Sequence, residues 1–132
     1  MVLLGNKKEY QGLLLAKMAI KFSELKEGKT VLFITSAQKY VSTNLAVLKH
    51  YINNKKCYCV YITVNKPYAA LMKLLEQEKI NTKQCFFIDA ITPTATGMQR
   101  AGNAVFVGNP KGLTNISIAA TGALKSMPEG HR

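Results

Sequence analysis

Apolar positions along the chain switch between a helical spacing and continuous β-favouring runs. From residue 6 to 27, Tyr10, Leu14, Met18 and Leu25 recur near helical spacing, with Lys17, Lys21 and Lys26 elsewhere on the surface. This predicts an amphipathic helix, ended by Gly28. Residues 30–35, Thr-Val-Leu-Phe-Ile-Thr, predict a first strand. After a polar loop, residues 43–51 predict a helix with Leu45, Val47 and Leu48 apolar. Asn53, Asn54, Lys55 and Lys56 predict a turn, and residues 57–64 a second strand. Pro67 is placed in the first turn of the next helix, whose apolar stripe is Leu71, Leu74 and Leu75. Residues 85–90 predict a third strand and residues 104–107 a fourth. The last helix covers residues 113–127, with Thr114 as its cap. Between the third and fourth strands, residues 92–103 are small and polar and hold Pro93 and Gly97, the composition of a long, mobile loop.

Continuous apolar strands alternating with helices predict an α/β fold in three layers, with helices on both faces of a mostly parallel sheet. Four strands are expected in one domain over residues 1–132, divided into an N-terminal helix (1–27) and an α/β core (28–127). In such sheets ligands bind beyond the carboxyl ends of the strands. The loops after Thr35, Val64, Ala90 and Val107 are therefore the places to search for chemistry.

The charge changes this picture. Eighteen basic residues against seven acidic ones give a net charge of +11. Such a field attracts nucleic acid, acidic proteins or anionic surfaces. The basic residues are nearly all lysine and are spread along the sequence. Only Arg100 and Arg132 offer the planar fork suited to bidentate phosphate or guanine contacts. No apolar run approaches the roughly 18 residues a membrane span needs, and the N-terminus lacks the pattern of a signal peptide. No membrane association and a cytoplasmic location are expected. Three cysteines and two histidines, His50 and His131, fall short of a metal set, so no metal ligands are assigned. Cys57 and Cys59 share one strand face, a poor geometry for a mutual disulfide. The cysteines are expected to be buried free thiols.

The loop after the first strand stands where a phosphate-binding loop belongs. Its working pattern is G-x-x-x-x-G-K-[ST], in which glycines let amides wrap a phosphate, the lysine neutralises charge and the hydroxyl holds magnesium. Residues 36–43 have the right length, but Ser36 and Val41 replace the glycines and Ser42 replaces the lysine; Thr43 alone matches. A β-branched valine does not readily take the positive φ open to glycine. Lys39 lies inside the loop and offers a charge from another angle. A second anion seat is the loop Gly108-Asn109-Pro110-Lys111-Gly112, which opens the last helix. The candidate phosphate or anion contacts are thus Ser36, Lys39, Ser42, Thr43 and Lys111. For both loops, an ordinary strand-to-helix connection is the competing reading.

The order of segments resembles the RecA-like ATPases, specifically their KaiC-like branch. Residues 31–35, Val60-Tyr61-Ile62-Thr63 and Phe86-Phe87-Ile88-Asp89-Ala90 look like that branch's first three strands. Residues 67–75 are similar to the helix after its second strand. Phe106-Val107-Gly108-Asn109-Pro110 with residues 113–118 are similar to the later strand, loop and helix. The resemblance covers roughly residues 28–127 and implies a RecA-like fold, with ATP as a candidate ligand and no cofactor assigned. Active members place carboxylates just after the second strand; here Asn65 and Lys66 stand there, and neither serves as a general base in the usual way. Their magnesium-associated aspartate lies on a strand after the last helix, and this chain ends before one. Asp89, the sole aspartate, matches an earlier strand and is expected to order the loop after it.

No catalytic residue is therefore assigned. The leading expectation is a degenerate, non-catalytic RecA/KaiC-like domain, a regulatory or scaffold binding module with weak nucleotide or anion affinity. The early end is read in two ways: as a fragment of a longer protein, or as a sheet lacking a strand, whose open edge is expected to be covered by a second copy or a protein partner. A basic nucleic-acid-associated protein is the first alternative. The second is an ATPase completed by a partner subunit, with Lys39 or Lys111 at the phosphates.

Overall fold

The computed structural model describes residue 34 and residues 36–128. The expected N-terminal helix and all of the expected first strand except Ile34 lie outside the described residues. The chain divides into two compact units, residues 1–50 and 51–132. In the first, helix α1 spans Tyr40–Leu48. It starts three residues earlier than the sequence suggests and runs into a π-helical turn at Lys49–Asn54, on which the boundary between the units falls. The turn expected at residues 53–56 is thus helical through Asn54.

Among the described residues, the second unit holds a four-stranded sheet and two α-helices. Strands β1 (Cys59–Thr63), β2 (Cys85–Asp89), β3 (Gln99–Ala101) and β4 (Ala104–Phe106) lie in the order β1-β2-β4-β3. β1 pairs with β2 and β2 with β4 in parallel, and β3 pairs with β4 antiparallel. The α/β class and the mostly parallel sheet agree with the sequence pattern. The expected second, third and fourth strands are β1, β2 and β4, and β3 comes from the stretch read as a loop. Gly102 and Asn103 form a two-residue turn between Ala101 and Ala104. Gly102 has φ +59°, the positive value that such turns require at their first central position. Asn103 then locks the hairpin: its Nδ2 donates to the carbonyls of Cys85 (3.0 Å) and Thr82 (3.3 Å), and its carbonyl accepts from Phe87 N.

Alternation divides the sheet's side chains between two faces. On one, Ile88, Ala90, Val105 and Val107 are buried with Ala119 of helix α3 (Leu113–Ser126), flanked by Val60, Phe86 and Ile116. Small residues at Ala119 and Ala123 allow the helix close to β1 and β2. On the other, Phe87 is fully buried, with the Tyr61 ring 6.1 Å and the Tyr68 ring 5.3 Å from it. Tyr68 begins helix α2 (Tyr68–Gln77) and also meets Phe106 edge-on at 5.8 Å. Leu71 and Leu75 are the buried stripe of α2. Pro67 caps this helix instead of sitting within its first turn, with ψ 147°. A 3-10 turn, Thr82–Gln84, leads into β2, capped by the Asn81 side chain accepting from Lys83 N.

Candidate functional site at the carboxyl ends of the strands

Three loops of the second unit gather where the parallel strands end. After β1, the buried Thr63 hydroxyl donates to the Lys66 carbonyl (2.6 Å) and accepts from its amide (3.2 Å). This folds Asn65 and Lys66 into a closed turn.

After β2, Asp89 is fully buried and takes four hydrogen bonds. Its Oδ1 accepts from the amides of Ile91 and Thr92, each at 2.8 Å. Its Oδ2 accepts from Tyr68 N at 2.8 Å and from the Thr92 hydroxyl at 2.5 Å. The carboxylate thus binds the first amide of α2 on one side and the loop after β2 on the other. Negative charge at a helix N-terminus is favoured in its own right. Burial works against the ionised form, but the hydrogen bonds from Thr92, Tyr68 and Ile91 outweigh it and hold the carboxyl below its ordinary value. A carboxylate with low basicity and four donors already on its oxygens is a structural anchor. The expectation that it orders the following loop is met, and its reach to α2 is an addition.

After β4, the amides of the loop turn inward. Asn109 Oδ1 accepts from Lys111 N (2.9 Å), the Asn109 carbonyl from Gly112 N (3.1 Å) and the Lys111 carbonyl from Leu113 N (2.9 Å). Gly112 occupies the N-cap of α3, so Thr114 is inside the helix and is not its cap. Gly108 has φ +80°, and a Cβ there would run into the Thr94 hydroxyl, which donates to the Gly97 carbonyl at 2.8 Å. The loops after β2 and β4 therefore touch at Gly108. Lys111 is exposed above a loop whose donors are largely engaged.

The other phosphate-contact residues lie in the first unit. The Ser36 carbonyl accepts from the amides of Lys39 (3.0 Å) and Tyr40 (3.1 Å), so two amides of the expected cradle close a turn. Lys39 is the N-cap of α1, and Ser42 and Thr43 are inside the helix. Ser42 Oγ donates back to the Lys39 carbonyl at 3.0 Å. The Thr43 hydroxyl, at 3% exposure, has no hydrogen-bond partner among the described residues. Ser36, Lys39, Ser42 and Thr43 thus belong to one local structure, and Lys111 to the other unit.

A second feature lies at the opposite, amino ends of β1 and β2. Asn53 Nδ2 donates to the Lys79 carbonyl (2.9 Å), and Asn53 Oδ1 accepts from Asn81 N (3.0 Å). Gln84 Nε2 donates to the Lys56 carbonyl (2.9 Å), and Asn81 Nδ2 to Gln84 Oε1 (2.9 Å). This amide network brings together two segments that carry the exposed Lys55, Lys56, Lys79 and Lys83. Lys56 and Lys79 both have φ +57°, a left-handed conformation that ends each preceding helix. Lysines distant in sequence thereby share one end of the sheet. Asn53 was the available signal, but it reads as part of a turn when met in sequence.

Among the described residues no group of three or more His, Cys, Asp or Glu is placed to hold a metal ion, and no helix is long and apolar enough to cross a membrane. Comparisons with family models, curated proteins and solved structures find no match to this chain.

Proposed function

We propose that this chain is a non-catalytic α/β domain of the RecA/KaiC-like kind, with helices layered on both faces of its sheet, acting as a regulatory or scaffold binding module. The observation that carries this reading is the engagement of Asp89. Phosphoryl transfer needs a metal-holding or base carboxylate free to act at the strand ends. Asn65 and Lys66 follow β1, and the carboxylate that follows β2, Asp89, spends both oxygens on Tyr68, Ile91 and Thr92. The closed turns around Ser36 and Asn109 support the same reading, since each uses amides that a phosphate cradle presents to its ligand. What is left for an anion is weak affinity at the start of α1, near the unpartnered Thr43 hydroxyl, and at Lys111. ATP is at most a loosely held ligand on this reading.

Calorimetric titration with magnesium–ATP at low and physiological salt, beside a phosphate-release assay, tests it. Weak or absent heat and no release above background are expected. Saturable binding with turnover by the protein alone would overturn the reading; turnover only with a partner subunit would favour a completed ATPase.

A specific observation favours a second reading, a nucleic-acid-associated protein: Lys55, Lys56, Lys79 and Lys83 converge at the amino ends of β1 and β2. Binding through that end would be non-specific and would weaken steeply as salt rises. Charge reversal of Lys56 and Lys79 would reduce both the affinity and the salt slope.

A further inference from the structure

The parallel register of β1 and β2 places Cys59 directly opposite Cys85. Both are the first residues of their strands, and both project to the face that carries Tyr61 and Phe87. Adjacent strands lie about 4.8 Å apart. That falls within the roughly 4.4–6.8 Å between Cα atoms over which a disulfide forms. The thiols are free. Cys85 is buried, and its thiol faces the Asn81 carbonyl at 3.8 Å; Cys59 is half-buried. Cys57 is two residues before Cys59, ahead of the strand, with its thiol turned to the Lys55 carbonyl.

We propose that Cys59 and Cys85 form a reversible thiol–disulfide site, oxidised by peroxides or by exchange with a small-molecule disulfide. Cys59 is the more accessible of the two, so an oxidant reaches it first: it is the attacking sulfur, and the buried Cys85 is the resolving one. With hydrogen peroxide, the Cys59 thiolate displaces hydroxide from the O–O bond and becomes a sulfenic acid. The Cys85 sulfur then attacks it, the S–O bond breaks, and water leaves with the Cys85 proton. In sum, two thiols and one peroxide give one disulfide and two waters. The strand spacing already suits the bond, and half-buried Cys59 leaves it open to a reducing thiol.

The experiment is peptide mapping by mass spectrometry of the whole chain after mild peroxide or oxidised glutathione, with free thiols blocked first. A Cys59–Cys85 cross-link is expected, with two hydrogens lost and the thiol count falling from three to one. The bond should reopen with dithiothreitol. Cys57→Ser should leave the cross-link unchanged, and Cys85→Ser should abolish it and leave Cys59 oxidised without a partner. Mapping of the unaltered chain keeps the test decisive even if a variant folds poorly. Retention of all three thiols, a bond through Cys57, or over-oxidation of Cys59 with no cross-link would each overturn the proposal.

Discussion

Replacing Asp89 tests the central structural role assigned here. Each hydrogen bond to a charged acceptor contributes on the order of 1.5–3 kcal/mol net. Four of them share one carboxylate, so their effects do not add, and the loop after β2 can relax toward water once released. We expect Asp89→Ala to cost about 3 kcal/mol. Asp89→Asn keeps an oxygen for the amides of Ile91 and Thr92 but sets a donor against Tyr68 N, and should cost about 2 kcal/mol. Against a total of about 5–15 kcal/mol, either change is large. Urea unfolding followed by circular dichroism would read the alanine change as a midpoint lowered by about 1.5 M, for a slope near 2 kcal/mol/M. The pH dependence supplies an independent sign. The folded carboxyl titrates below its ordinary value, so its contribution is complete above about pH 4 and is lost as pH falls through the folded pKa. The asparagine variant has no such titration, and its stability gap from the wild type should close in acid. A cost below about 1 kcal/mol for alanine at neutral pH, or a gap that stays constant down to about pH 2, would refute the argument.

Three further substitutions test the packing around this anchor. Gly108→Ala should cost about 2 kcal/mol or more in urea unfolding, because φ is +80° and the new methyl meets Thr94; Gly102→Ala, in open space, should cost only about 1 kcal/mol. Tyr68→Phe removes the 2.9 Å hydrogen bond from its hydroxyl to Asn103 Oδ1 and should lower stability by about 1 kcal/mol without loss of the near-ultraviolet signature of the packed rings.

The sequence made some of this legible for identifiable reasons. β2 is a run of apolar residues closed by an aspartate, so both its existence and the role of Asp89 could be read locally. The first two residues of the expected second strand, Cys57 and Tyr58, have the right character but lie before the pairing with β2 begins. β3 escaped notice because Gln99, Arg100 and Ala101 are not strand-forming by composition and are exposed; only the Gly102-Asn103 pair signalled a hairpin. Thr114 lost its expected capping role because Asn109 folds the loop so that Gly112 takes that place. The Cys59–Cys85 pair and the lysine cluster depend on register and on contacts between distant segments. Spacing along a chain does not encode either one.

The hairpin also bears on chain entropy. Between Asp89 and Ala104 the backbone has fourteen residues to close, 90–103, and β3 leaves only nine of them, 90–98, before pairing begins. For a flexible loop that shortening is worth about 0.4 kcal/mol of closure entropy. The Asp89 bonds to Ile91 and Thr92 fix the near end of the remainder, and the Thr94–Gly97 bond stiffens its middle. What composition presents as slack is therefore a tether with little left to lose on folding. The connection from β2 to β4 helps hold the parallel strands in register.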